Sequence, residues 1–189
     1  FDSICTVGLF TVVKKGGRQR LVIDCRLANL YFTPSKHVDL PTANCFSRLE
    51  LSAGQPLEIT QFDLENAFYQ IELPVELRPY FTFEAVRASA VGVTQIDGVF
   101  VSPDAWIYPQ MRVVPMGWSH ALYLCQTAFS RIISSAIPEV PLVCDTTPTP
   151  NLDRGAVTVY VDNCAIISTS AERNRELSSR ALAEAHHLG

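Results

Sequence analysis

No stretch of ~18 apolar residues runs uninterrupted through the 189-residue chain, so the sequence holds no candidate for a helical membrane span. The N-terminus lacks the basic, apolar, small-residue order of a secretory signal, and the expectation is an intracellular protein, in cytoplasm or nucleus, with no membrane partner. The six cysteines lie far apart with no C-x-x-C pair, and most sit among apolar residues. That spacing argues against a zinc site and against a disulfide framework. Positive charge is also scarce: 15 Lys and Arg against 19 Asp and Glu leave a net charge of −4, which speaks against a surface uniformly attractive to nucleic acid. Internal repeats and a clear linker are both missing, so one unit with one sizeable core is expected.

The charge that is present is uneven. Residues 1–36 carry six basic residues (Lys14, Lys15, Arg18, Arg20, Arg26, Lys36) and two acids (Asp2, Asp24), so the remaining chain is distinctly acidic. Most of these bases surround Gly16-Gly17 in "LFTVVKKGGRQRLVID", two β-rich runs about a glycine turn that predict an antiparallel hairpin. A basic hairpin tip is compatible with simple solvation and with phosphate binding.

Further along, "LEITQFDLENAFYQIELP" predicts a strand through Phe62, a break from Asp63 to Phe68 and a short extended piece ending at Pro74. "YFTF" (80–83) and "MRVVP" (111–115) are further strand candidates, and "VTQIDGVFV" predicts a hairpin turning at Asp97-Gly98. From Ser119 the apolar residues Leu122, Leu124, Cys125, Ala128, Phe129, Ile132, Ile133 and Ala136 fall at helical steps, and Pro138 closes the helix. "VYVDNCAIIS" (159–168) predicts a hairpin with Asp162 and Asn163 at its tip, where an Asp-Asn pair is ordinary turn chemistry. The T-x-x-E form of Thr169 to Glu172 then predicts the start of a helix with Leu177, Ala181 and Ala185 on one face. This order gives an α+β fold, an antiparallel sheet covered by helices on one side, in which Asp63 and Asp162 meet on neighbouring strands.

Four segments, "RLVIDCRLAN" (20–29), "FDLENAFYQIEL" (62–73), "RVVPMGWSHALYLCQTAF" (112–129) and "VYVDNCAIIS", resemble in order four motifs of the fingers and palm of retroelement reverse transcriptases. The resemblance covers roughly residues 8 to 175. It implies a polymerase-type palm at 57–83 and 112–189, and a fingers region at 1–56 and about 84–111. No thumb, RNase H or integrase segment lies within these residues, and the resemblance implies a piece of a longer polyprotein that continues into them.

The resemblance also implies roles. Asp63 and Asp162 match the family's catalytic aspartates, while Asn163 stands where the tyrosine-x-Asp-Asp hairpin has its second acid. Joining a primer 3′-hydroxyl to the α-phosphate of a deoxynucleoside triphosphate, with RNA or DNA as template, calls for two divalent ions, Mg²⁺ or Mn²⁺. Asp63, Asp162 and the Leu64 carbonyl are the implied ligands, because magnesium is commonly held by one or two carboxylates plus substrate phosphates. Phe68 matches the ring that excludes a 2′-hydroxyl, a specificity built from a clash; a plain core aromatic is the alternative. Met116 and Gly117 match the loop beside the incoming nucleotide, although Pro-x-Gly is also an ordinary turn. Lys14, Lys15 and Arg20 match residues that clamp the triphosphate. Asp24, Arg26 and Asn29 complete the first motif, as an ion pair or in direct contact. A catalytically inactive polymerase-like scaffold is the competing reading, and Asn163 is the residue that favours it.

Overall fold

Strands and helices follow the chain as β1 (Gly8–Val13), β2 (Gln19–Asp24), α1 (Ala43–Ser47), β3 (Glu58–Asp63), β4 (Val86–Arg87), β5 (Gln95–Ile96), β6 (Val99–Phe100), β7 (Trp106–Ile107), α2 (Ala121–Ala136), β8 (Ala156–Tyr160), β9 (Asn163–Ser168) and α3 (Ala171–Leu188). This computed structural model describes residues 3–13 and 15–188. It is a mixed α/β fold with antiparallel sheets. The chain divides into two units, one formed by Phe1–Pro34 and Phe68–Ala121, the other by Ser35–Ala67 and Leu122–Gly189.

In the first unit, β1 and β2 pair antiparallel from Gly8 with Asp24 to Val13 with Gln19. Gly16 and Gly17 take φ values of +90° and +76°, which a residue with a Cβ adopts only at a cost, so the glycine turn is supplied by residue type. The strands expected at 80–83 and 111–115 shrink to single bridges: Thr82 meets Thr6 and Gln110, and Glu72 meets Val113. Pro74, Pro79, Pro109 and Pro115 interrupt these segments. Each removes a ladder donor, and residues 75–81 coil into a 3₁₀ helix instead. The short β5–β6 hairpin turns at Asp97 and Gly98, both at positive φ, as the sequence predicts. The core of this unit gathers Phe81, Leu73, Ala88, Val114 and Trp118, and Trp118 stands edge-on to Phe32 and Phe81.

The second unit is built on a three-stranded antiparallel sheet in the order β3-β9-β8. Phe62, Val157, Val159, Cys164 and Ile166 face Phe129, Ile133 and Ile137 of α2 and its C-terminal end, and Leu177, Ala181 and Ala185 of α3. The i, i+4 spacing of Cys125, Phe129, Ile133 and Ile137 explains why this helix face is the one removed from water. Leu122 stays exposed, although the apolar pattern had included it. On the other face, Ala156 and Ile167 pack with Cys45, Val143 and Leu152, so that face is partly covered toward one end.

Two helix starts differ from expectation, by two residues at α2 and by one at α3. The Ser119 amide, expected to open α2, donates instead to Asn29 Oδ1 at 2.9 Å, and the helix begins at Ala121. At α3 the capping group is Ser170, whose Oγ accepts from the Arg173 amide at 3.3 Å, while the Thr169 hydroxyl donates to Asp153. Among the described residues no helix is long and apolar enough to cross a membrane.

Candidate active site

The site is assembled by the ladder of the second unit. Asp63 is the Cα partner of Asn163, and Asn163 is in turn the partner of Tyr160, so these three residues form one row across the sheet. Side chains of directly opposed residues share a face. The row is exposed, whereas the next row, Phe62, Cys164 and Val159, points into the helices. Strand alternation therefore aims Asp63 and Asn163 away from the core at one end of the sheet.

The tip of the hairpin lies one residue earlier than the sequence suggests. Val161 and Asp162 make the turn, and Asn163 is already the first residue of β9. The Asn163 amide donates to Asp162 Oδ1 at 3.0 Å, and the Leu64 N–H donates to the Asp162 carbonyl at 2.8 Å. Asp63, Leu64, Asp162 and Asn163 are thus tied together by backbone pairing, one main-chain bond and one side-chain bond. The oxygens gathered here are hard donors suited to magnesium, and two carboxylates are as many as that ion commonly takes from a protein. Among the described residues no three His, Cys, Asp or Glu side chains gather as a metal cluster.

Behind the turn the surroundings are dry. Burial pushes the Cys164 thiol up to about 12, and burial with the charge of Asp162 pushes Cys125 up to about 11, so neither is an available nucleophile. Val161 has φ of 60°, an uncommon conformation for a β-branched residue that costs about 1–3 kcal/mol. Gln126 of α2, buried among apolar neighbours, accepts from the Val161 N–H and donates to the Val159 carbonyl. The only sign of this residue in the sequence was a glutamine interrupting the apolar face of a core helix.

From residue 12 to residue 188 the chain matches the family model described as reverse transcriptase (RNA-dependent DNA polymerase). The chain belongs to the reverse transcriptase family. Among solved structures it is similar to one titled as the foamy viral protease-reverse transcriptase dRH in complex with ds DNA. That likeness has a TM-score of 0.64 at 14% sequence identity and covers 100% of this chain and 26% of the other. The chain thus spans about a quarter of that protein's length, and at this identity the likeness concerns the fold. Comparison with curated proteins gives no match. Reverse transcriptases as a family use divalent metals and bind nucleic-acid template and primer.

The remaining residues singled out in the sequence belong to the first unit. Arg20 lies opposite Val12 in the β1–β2 ladder and is exposed, as are Lys15 and Arg18 near the turn; Lys14 falls outside the described residues. Asp24 and Arg26 form a bidentate ion pair at 2.6 to 3.1 Å, and the Arg26 hydrogen bonds hold the Asp24 carboxyl below its ordinary value. Phe68 is half-buried within a short 3₁₀ helix (Ala67–Gln70), and its carbonyl accepts from the Ile71 amide. Met116 is exposed.

Gly117 has a structural reason of its own. A Cβ there would lie 2.5 Å from the Ile23 carbonyl, so glycine is required by the close approach of this loop to β2. Asn29 secures the same loop by donating to the Gly117 carbonyl and accepting from the Ser119 amide. Four motif residues, Ile23, Asn29, Gly117 and Ser119, are therefore one packed joint.

Proposed function

We propose that this chain is the catalytic core of an RNA-directed DNA polymerase, a nucleotidyltransferase that extends a primer 3′-hydroxyl with deoxynucleoside triphosphates. The observation that carries the reading is the row of Asp63 and Asn163 with Asp162 beside it, exposed at the end of an antiparallel sheet. In this reading residues 57–83 and 112–189 act as palm, and residues 1–56 with about 84–111 act as fingers. The unit with the three-stranded sheet holds 57–67 and 122–189 of that palm together with 35–56, while 68–83 and 112–121 fall in the other unit. In this reading RNA or DNA serves as template.

Asp63 and Asp162, with the Leu64 carbonyl, are the groups that would hold two Mg²⁺ ions, or Mn²⁺ in their place. Bound there, such ions would supply neutralisation of phosphate charge and a lowered pKa for an attacking hydroxyl. Asn163 supplies an amide where the family pattern has an acid. Its hydrogen bond to Asp162 orients that carboxylate without adding charge. Arg20 with Lys14 or Lys15 pairs with the triphosphate, a task suited to the arginine fork. The Phe68 ring excludes a 2′-hydroxyl and so selects deoxynucleotides, and Met116 and Gly117 border the incoming nucleotide.

Asn163 also supports a second reading, a polymerase-like scaffold without catalysis. Thermal unfolding with and without Mg²⁺ separates the two. If the acids form a metal site, Asn163→Asp adds a full charge beside the cations, so Mg²⁺ raises the melting temperature of this variant more than that of the parent. Without metal the same substitution lowers it by like-charge repulsion. Identical melting of both proteins at every Mg²⁺ concentration makes "YVDN" a turn only and leaves the scaffold reading.

A further inference from the structure

The acid that the proposed reading relies on most, Asp162, sits in a turn whose geometry its own residues do not favour. Val161, immediately before it, is held at φ of 60° although its side chain is β-branched and 8% exposed. Residues that adopt this region readily are glycine, asparagine and aspartate, none of which stands at 161. Something outside the turn has to impose the conformation.

The contacts that reach it come from α2. Gln126 Oε1 accepts from the Val161 N–H at 2.6 Å, and Gln126 Nε2 donates to the Val159 carbonyl at 2.8 Å and to Ser130 Oγ at 3.2 Å. Cys125 Sγ approaches the Val161 carbonyl at 3.7 Å. The partners fix which end of the amide points where, because a backbone N–H can only donate and a carbonyl only accept. A side chain with one hydrogen-bonding character cannot satisfy both. Gln126 is 6% exposed, so these bonds form where an unmade one is costly.

We propose that Gln126 is a positioning residue for the metal-binding hairpin: its amide spans Val159 and Val161, locks the left-handed turn, and so sets where the Asp162 carboxylate projects. This inference rests on the reading of Asp63 and Asp162 as a metal site. It differs from a packing role in what it makes depend on Gln126, namely the geometry of the half-buried acid that follows Val161 in the turn.

The experiment uses the 189-residue chain, Mn²⁺ as the metal, and amide hydrogen exchange. In the parent the Val161 amide is expected to be protected. In Gln126→Met, which keeps length and apolar volume but removes both bonds, exchange at Val161 should accelerate by on the order of 100-fold. Mn²⁺ affinity should fall by roughly tenfold, because two carboxylates bind a small cation tightly only when both are held in place. Adding Val161→Gly to Gln126→Met should restore most of that affinity, since glycine takes a φ of 60° without being held there.

A merely structural role predicts the opposite for the double variant, because it loses a second buried side chain and should bind and melt worse. Unchanged Mn²⁺ affinity in Gln126→Met, when Asp162→Asn does weaken binding, overturns the proposal. An unprotected Val161 amide in the parent overturns it with no variant at all, which also decides the matter if Gln126→Met does not fold. If Asp162→Asn binds Mn²⁺ as the parent does, the metal reading itself fails, and the exchange data alone judge the hold on the turn.

Discussion

The two long hairpins of this chain reach their turns by different means. In β1–β2 both strands are largely exposed, and the turn conformation belongs to Gly16 and Gly17 themselves. In β8–β9 nearly every strand residue is buried, and the turn is a valine and an aspartate held in place by a helix. The first hairpin carries the basic side chains and the second borders the acids. A hairpin that is locally encoded tolerates change along its length and moves easily, as suits a segment proposed to clamp a ligand. A hairpin that is imposed by packing is rigid, as suits groups proposed to hold a cation at fixed geometry.

The largest test of this contrast lies in the strands. Ile166→Ala in β9 empties a fully buried site between the sheet and the helices and should destabilise by about 2–5 kcal/mol. Leu21→Ala in β2, at a half-exposed position, should stay within about 1 kcal/mol. Urea denaturation measures both, and equal losses would remove the distinction.

Next come the glycines. Gly117→Ala drives a Cβ to 2.5 Å from the Ile23 carbonyl and should cost about 1–3 kcal/mol, with disturbance of the loop that Asn29 holds. Gly16→Ala meets open space, and its φ of +90° alone should cost about 1–2 kcal/mol. A structure of each variant checks the difference in kind: displacement of backbone in the first, a changed turn in the second.

Charge provides a smaller test. Arg180 and Arg173 grip Glu139, and the Arg180 hydrogen bond first of all brings its carboxyl from the ordinary 4.5 to about 2. A depressed carboxyl favours the folded state above pH 4.5, and this contribution is lost as pH falls toward about 2. Glu139→Gln should therefore narrow the difference in urea midpoint between pH 6 and pH 2.5. Parallel profiles for variant and parent would show that this exposed network contributes nothing.

The least effect on stability is expected from Arg20→Ala, which changes only an exposed strand position. It should instead weaken triphosphate binding several-fold, with a shallower dependence on salt than the parent. Isothermal titration at two salt concentrations reads this, and salt-independent binding by the parent would take the clamp role away from the hairpin.

Much of this was legible in the sequence because the local signals agreed with one another. Glycine pairs marked the first hairpin, 3.6-residue periodicity marked α2 and α3, and a polar break after Phe62 marked the end of β3. The strand in fact runs one residue further, through Asp63, and its alternation with Phe62 puts the acid on the outer face. The four family motifs were written as short unbroken strings, so membership in the reverse transcriptase family could be read without a fold.

What the sequence left undecided depends on residues far apart in the chain. Asn29 reaches across 88 positions to Gly117, and Gln126 across 35 to Val161. In both cases a side-chain amide satisfies backbone groups that no repeating ladder serves, so neither bond leaves a periodic trace. The prolines of 74–115 likewise reduced expected strands to single bridges, because a missing donor matters only once a partner strand is alongside. The sequence by itself determined which residues are hairpin, helix and exposed acid, through propensity and period. Only the tertiary structure decided where the turn before Asp162 falls and what holds it, because that conformation is unfavourable to Val161 and exists through hydrogen bonds that a buried helix contributes.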